Sequence, residues 1–113
     1  MITIGLPNLQ LAVDVKAAMA DNPTNQGVFQ DVRIVNELGL HARSAAKIAQ
    51  LARQASGSVW LEKNQGRADA KQVIDLLMLA AARGDWVRIS IDQTGDRDTL
   101  NQIVRLVEDG FGE

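Results

Sequence analysis

The sequence predicts an α+β fold, an open-faced sandwich with helices on one side of a sheet, and three observations carry that expectation. Short runs of alternating apolar residues are mixed with runs of helical periodicity, in the order β-α-β-β-α-β-α. The chain has 113 residues, enough for one domain with its own core. Hydrophobic residues make up 46% and charged residues 23%, which marks a globular chain rather than a disordered one. The pattern leaves an antiparallel and a mixed sheet equally open.

Residues 1–27 stand apart as an N-terminal extension and linker. Met1 to Ala20 is apolar and nearly uncharged, and Asp21 to Gly27 is a cluster of turn residues. Leu9, Leu11, Val13 and Val15 alternate as in a strand, whereas Ala12, Lys16, Ala17, Ala18 and Ala20 suit a helix. Met19 offers an alternative start. The main domain is expected over 28–113. Val28, Val32 and Ile34 share one side of a first strand that ends at Asn36. After a loop from Glu37 to Leu40, a helix is expected from Ala42 to Ala55, with Ala45, Ile48, Ala49 and Ala52 small enough to lie close on a sheet. Ser58 to Lys63 alternates as a strand with Val59 and Leu61 inward, and a turn near Asn64-Gln65-Gly66 leads to a short strand around Arg67 to Asp69. Lys71 to Ala82 reads as a second helix, stopped by Arg83-Gly84. A last strand, Trp86 to Asp92, points Val87, Ile89 and Ile91 inward. The third helix, Asp96 to Asp109, gathers Leu100, Ile103, Val104 and Val107 on one face before Gly110.

Composition excludes several chemistries. With no cysteine there is no disulfide scaffold, thiolate zinc site or cysteine nucleophile. One histidine leaves no poly-His metal site, so neither a metal nor a cofactor is expected. A net charge of −2 gives no reason to expect nucleic acid or a membrane surface as partner. The longest apolar run, Leu76 to Ala82, is about a third of the roughly 20 residues a spanning helix needs. No Lys or Arg precedes Lys16 and Asp14 interrupts the apolar start. Despite Ala18-Met19-Ala20 it does not read as a signal peptide, and a cytoplasmic protein is expected.

Chemistry concentrates at one junction. His41 stands directly before the first helix, where a side chain can cap free backbone N–H groups. Residues 42–55 contain no acid but three bases, Arg43, Lys47 and Arg53. The helix dipole alone disfavours Arg43 in the first turn, unless an anion visits that end. Free N–H groups, a dipole and a guanidinium together make a phosphate site. They also disfavour the imidazolium form, leaving a neutral ring nitrogen able to attack a phosphoryl group. The residues themselves leave two readings of His41 open, a helix cap at the surface or a phosphoryl acceptor.

The segment Ile34-Val35-Asn36-Glu37-Leu38-Gly39-Leu40-His41-Ala42-Arg43-Ser44-Ala45-Ala46 closely resembles the active-site segment of HPr, the histidine phosphocarrier of the phosphoenolpyruvate-dependent phosphotransferase system. A second stretch, Ala70 to Leu79, resembles that family's regulatory-site helix, and the likeness runs from about Val28 onward. The resemblance implies an HPr-like open-faced β-sandwich, a four-stranded antiparallel sheet with three helices on one face. It implies a phosphocarrier rather than an enzyme, with a transient phosphohistidine at His41. His41 would accept the phosphoryl group on Nδ1 from Enzyme I and pass it to an Enzyme IIA-type acceptor. Arg43 would hold the phosphoryl oxygens, with Ala42 and Ser44 completing the phosphate site. Leu40, Lys47, Val73, Leu77 and Met78 would dock both partners, although helix-core packing explains Val73, Leu77 and Met78 equally well.

Two departures stand out. The family usually has Pro where this chain has Ser44, which adds a backbone donor and a hydroxyl. Gln72 stands where many relatives carry a regulatory serine, and an amide cannot take a phosphate, so no regulatory serine is expected. The run Val73 to Leu79 and the ending Asp109-Gly110-Phe111 lean toward the nitrogen-related branch rather than sugar transport.

Residues 41–88 carry a net charge of +4 and residues 89–113 one of −4, which suggests a basic surface around His41 that steers an acidic partner. Two solvated faces of unlike charge would read the same way. Phe29, Trp60 and Trp86 fall by alternation on the outer sheet face and are expected to form one aromatic patch. That face would be covered by residues 1–27 or by a second copy, giving a monomer or a dimer through the outer sheet. Two further readings compete: a βαββαβ regulatory domain that senses a small ligand, and an HPr-like regulator that carries no phosphate.

Overall fold

Alternation fixes which way the sheet faces. Val59, Leu61, Val87, Ile89 and Ile91 occupy every second position of their strands, and all five are buried. The structure, a computed structural model, describes residues 28–113. Its strands are β1 (Val28–Arg33), β2 (Val59–Lys63), β3 (Gly66–Asp69) and β4 (Trp86–Ile91). Its helices are α1 (Ala42–Ala52), α2 (Val73–Met78) and α3 (Arg97–Glu108). The expectations about residues 1–27 lie outside the described residues.

The sheet order is β1-β4-β2-β3 and every pairing is antiparallel, which closes the mixed alternative. Helix α3 packs on β1 and β4, α2 packs on β3, and α1 touches both other helices. Between these layers lie Val32, Ile34, Ile48, Leu61, Leu76, Ile89 and Ile103. Burying each such side chain stabilises the fold by about 1.5–3 kcal/mol. The expected α+β sandwich with three helices on one face is therefore what the chain forms.

Most boundaries shift for local reasons. Helix α1 stops at Ala52 because the next amides, Gln54 and Ala55, bond three residues back to Leu51 and Ala52, tightening the last turn. Helix α2 is the largest difference: it covers Val73–Met78 rather than Lys71 to Ala82. Ala80 takes a left-handed φ of +53°, and beyond it the Ala81 carbonyl accepts from the Leu40 amide at 2.9 Å. The Ala82 amide bonds Asp85 Oδ2 at 2.8 Å. Tertiary hydrogen bonds thus override a Leu/Ala run with high helix propensity.

The outer face differs from one aromatic patch. Register places Phe29, Ser90 and Trp60 in one row across the sheet. Asp31, Arg88, Glu62 and Arg67 form the next row, and Trp86 lies beyond it opposite Arg33. Arg88 stacks over Phe29 at 3.9 Å and Arg67 over Trp60 at 3.7 Å, so guanidinium groups cover two of the aromatics. Trp86 is 62% exposed.

Candidate functional site

The site is built where β1 hands the chain to α1. Ile34 continues the inward row of β1 and Asn36 occupies the next inward position, so a polar side chain enters the core edge. Its amide donates to the Gly39 carbonyl at 2.8 Å and folds residues 36–39 into a tight loop. Gly39 adopts φ +66°, and a Cβ there would meet Ala81 O at 2.7 Å and Ala82 Cα at 2.9 Å. Only glycine gives both the left-handed backbone and the close approach. The Leu40 amide bonds Ala81 O on the same side.

His41 follows as the N-cap of α1, with extended backbone. Its ring Nδ1 accepts from the Arg43 amide at 3.2 Å. An accepting Nδ1 carries no proton, so Nε2 is the N–H nitrogen, and it donates to Glu113 Oε2 at 2.5 Å. The Asn36 amide also donates to Glu113 Oε1 at 3.1 Å. These two donors, Asn36 first and His41 second, hold the Glu113 carboxyl below the ordinary glutamate range. The imidazole is thereby held by two groups, Arg43 N and Glu113, the latter itself braced by Asn36, and the Nδ1 lone pair faces the N-terminal turn of α1. In that turn the amides of Ala42, Arg43 and Ser44 have no carbonyl partner within the helix. Arg43 is exposed and free of the fold, as an anion clamp requires.

The nominated residues are distributed unevenly. His41, Ala42 and Arg43 converge at the helix start. The Ser44 backbone belongs there too, but its side chain is fully buried and its Oγ accepts from the His41 amide at 2.8 Å. The hydroxyl is therefore turned into the fold, and of the groups Ser44 adds to the first turn only the backbone N–H belongs to the exposed end of the helix. Leu40 is only 8% exposed and supports the lip from within, so it offers no docking surface. Lys47 gives its ammonium to Phe111 O at 2.7 Å, which uses it to anchor the turn after α3. On α2, Val73 and Leu77 are half-buried against the core, whereas Met78 is 79% exposed. Gln72 is the exposed N-cap of α2, and its side chain makes no capping bond.

Sequence reasoning missed Asn36, Glu113 and Ile74. The signal for Asn36 was present, since Val32, Ile34 and Asn36 share one alternation and a buried Asn needs partners. Glu113 carried no local signal, standing 72 positions from His41. Ile74 on α2 is 69% exposed beside Met78, and Leu38 and Val35 are exposed on the loop before His41. A cleft beside the site is lined by Val35, Leu38 and Arg83 together with Glu108, Asp109 and Glu113. Of the C-terminal acids Glu113 reaches the histidine and Glu108 and Asp109 line the cleft beside it, so acidic as well as basic side chains surround the site.

The family model described as "PTS HPr component phosphorylation site" matches residues 28–109. This chain belongs to the HPr family. It is 37% identical over 84 residues to the phosphocarrier protein HPr of Neisseria meningitidis serogroup B, covering 74% of this chain and 94% of that one. It is 36% identical over 87 residues to the phosphocarrier protein NPr of Escherichia coli K12, covering 76% and 97%. Among solved structures, HPr-C-His from Thermoanaerobacter tengcongensis superposes with a TM-score of 0.72 at 31% identity, covering 76% and 97%. Like other HPr proteins the chain is a phosphocarrier of the phosphotransferase system, not a catalyst with its own turnover. Among the described residues no helix is long and apolar enough to cross a membrane, and no cluster of His, Asp and Glu could hold a metal.

Proposed function

We propose that His41 is the residue that carries the phosphoryl group, taking it from Enzyme I and giving it to an Enzyme IIA-type acceptor in the cytoplasm. The observation that carries this reading is the orientation of the ring. Nε2–H is committed to Glu113, and the Nδ1 lone pair points at the first turn of α1, where it accepts from the Arg43 amide. In the transfer, that lone pair attacks phosphorus and a Nδ1–P bond forms. The bond from phosphorus to the donor atom breaks, with its electron pair leaving on the donor. The proton on Nε2 stays where Glu113 holds it, so no general base is needed. As the phosphoryl group arrives it replaces the Arg43 amide contact at Nδ1, and the amides of Ala42, Arg43 and Ser44 turn to its oxygens. The exposed Arg43 guanidinium adds a charged clamp. Passing the group on reverses these steps.

The exposed apolar groups on the loop before His41, Val35 and Leu38, and on α2, Ile74 and Met78, support docking of both partners. Relatives named HPr and NPr match at 37% and 36% identity, and the nitrogen-related branch rests on the Val73 to Leu79 run and the Asp109-Gly110-Phe111 ending. Incubation with phosphoenolpyruvate and Enzyme I, followed by intact mass under alkaline conditions, tests the carrier role. One acid-labile phosphate is expected on the wild-type chain and none on His41→Ala. A phosphate retained by His41→Ala would overturn the assignment. Transfer onward to sugar-type and nitrogen-type acceptors compares the branches, and equal rates would remove the nitrogen-related preference.

A further inference from the structure

We infer that Ser44 is a positioning residue for phosphoryl transfer: its buried hydroxyl holds the His41 backbone amide and thereby sets where Nδ1 stands over the first turn. This rests on His41 being the phosphoryl acceptor.

Ser44 faces inward on α1, in the same buried row as Ala45, Ile48 and Ala49. A hydroxyl in that place is costly unless it is bonded. Oγ accepts from His41 N–H at 2.8 Å. Its own proton points to the carbonyls of His41 at 3.1 Å and Gly39 at 3.4 Å. His41 in return caps the helix through Nδ1, so the two residues form a reciprocal capping box. The box ties together the loop glycine, the backbone of the histidine and the helix that supplies the phosphate-binding amides. A proline at this position, which the family usually has, carries no acceptor and cannot hold the His41 amide this way. The anchor is therefore particular to this sequence.

The consequence is geometric. On the N-terminal side of the ring Leu40 N is fixed to Ala81 O and His41 N to Ser44 Oγ, and on the C-terminal side the His41 carbonyl accepts from Ala45 N at 2.8 Å. With its backbone clamped at both ends, the ring retains only its side-chain torsions. Those are settled by Arg43 N at Nδ1 and Glu113 at Nε2. Without the Ser44 acceptor the N-cap backbone loosens, and a smaller fraction of rings presents Nδ1 in line with an incoming phosphorus. The Ser44 hydroxyl has no exposed surface, so it acts on transfer only through the backbone it holds.

The test compares the wild-type chain, Ser44→Ala, Ser44→Thr and Ser44→Pro in phosphoryl uptake from phosphorylated Enzyme I. NMR of the His41 backbone amide and of the ring nitrogens runs in parallel. Ser44→Ala is expected to lower the maximal rate about three- to tenfold, with the half-saturating concentration of Enzyme I unchanged. It should also speed exchange of the His41 amide and shift its resonance. Ser44→Thr, which keeps the oxygen, should recover most of both. Ser44→Pro removes the Ser44 N–H together with the hydroxyl and should lose at least as much rate as Ser44→Ala, in a helix start that proline tolerates. Wild-type rate in Ser44→Ala, a loss confined to half-saturation, or an unmoved His41 amide would each overturn the proposal. So would unfolding of both Ser44→Ala and Ser44→Pro, which would make the role structural. If the wild-type chain takes up no phosphate while Enzyme I phosphorylates a control HPr, the carrier reading itself fails and this inference falls with it.

Discussion

Gly39 sets the height of the lip on which His41 stands. Its φ of +66° and the 2.7 Å approach that a Cβ would make to Ala81 O combine two penalties at one position. Gly39→Ala should therefore lower stability by about 2–4 kcal/mol. Gly84 also has a positive φ, but the nearest atom to its Cβ position is 4.0 Å away, so Gly84→Ala should cost only the backbone strain, about 1–2 kcal/mol. Denaturant unfolding of the two variants measures the difference, and equal losses would show that the close approach to Ala81 relaxes freely. At this scale the sequence disclosed His41, Ala42 and Arg43 because capping and first-turn charge are local rules. It did not disclose Glu113, because a contact over 72 positions leaves no periodic trace. It left the direction of the Ser44 hydroxyl open, since a serine in a first turn serves a ligand or a backbone amide equally well.

Helix α2 shows how an element can be right in place and wrong in extent. Its apolar run was legible, and Leu76 is buried as a core residue must be. Its end was not, because Ala80 to Ala82 are spent on Leu40 and Asp85 rather than on the helix. What remains is a single short helix that buries Leu76 and leaves Ile74 and Met78 outside. Replacing these two by serine should change stability by less than about 0.5 kcal/mol while raising the half-saturating concentration of Enzyme I. Leu40→Ala, one loop away but buried, should instead cost about 2–3 kcal/mol. Thermal melts and phosphorylation kinetics on the same samples separate the two effects. Loss of stability in the α2 variant would place Ile74 or Met78 in the core. The strands were the most legible elements, since one apolar alternation decides both existence and facing, and only their ends moved.

For the molecule as a whole, Asp96 connects the turn after α1 to the start of α3. Its carboxylate accepts from the Ser56 and Gly57 amides at 2.9 and 2.8 Å. The Gly57 bond first and the Ser56 bond second hold its pKa below the ordinary value of 3.8 against the effect of burial. A depressed folded-state value means that the stabilisation is present above pH 3.8 and is lost as pH falls through the lower folded value. Asp96→Asn should thus melt below wild type near neutrality, and the gap should narrow on acidification past that point. A constant gap from neutral to acid pH would show that the two amides do not depend on the charge.

The strand order β1-β4-β2-β3 sets a timetable for the ribosome. Among the described residues β1 pairs only with β4, so that pairing waits until residues 34–85 have been translated. His41 leaves the ribosome soon after β1. Ala81, which seats its lip, and Glu113, which orients its ring, come far later. A nascent chain therefore displays the histidine long before it owns the cradle, and the full set of groups around the ring exists only once Glu113 has been made.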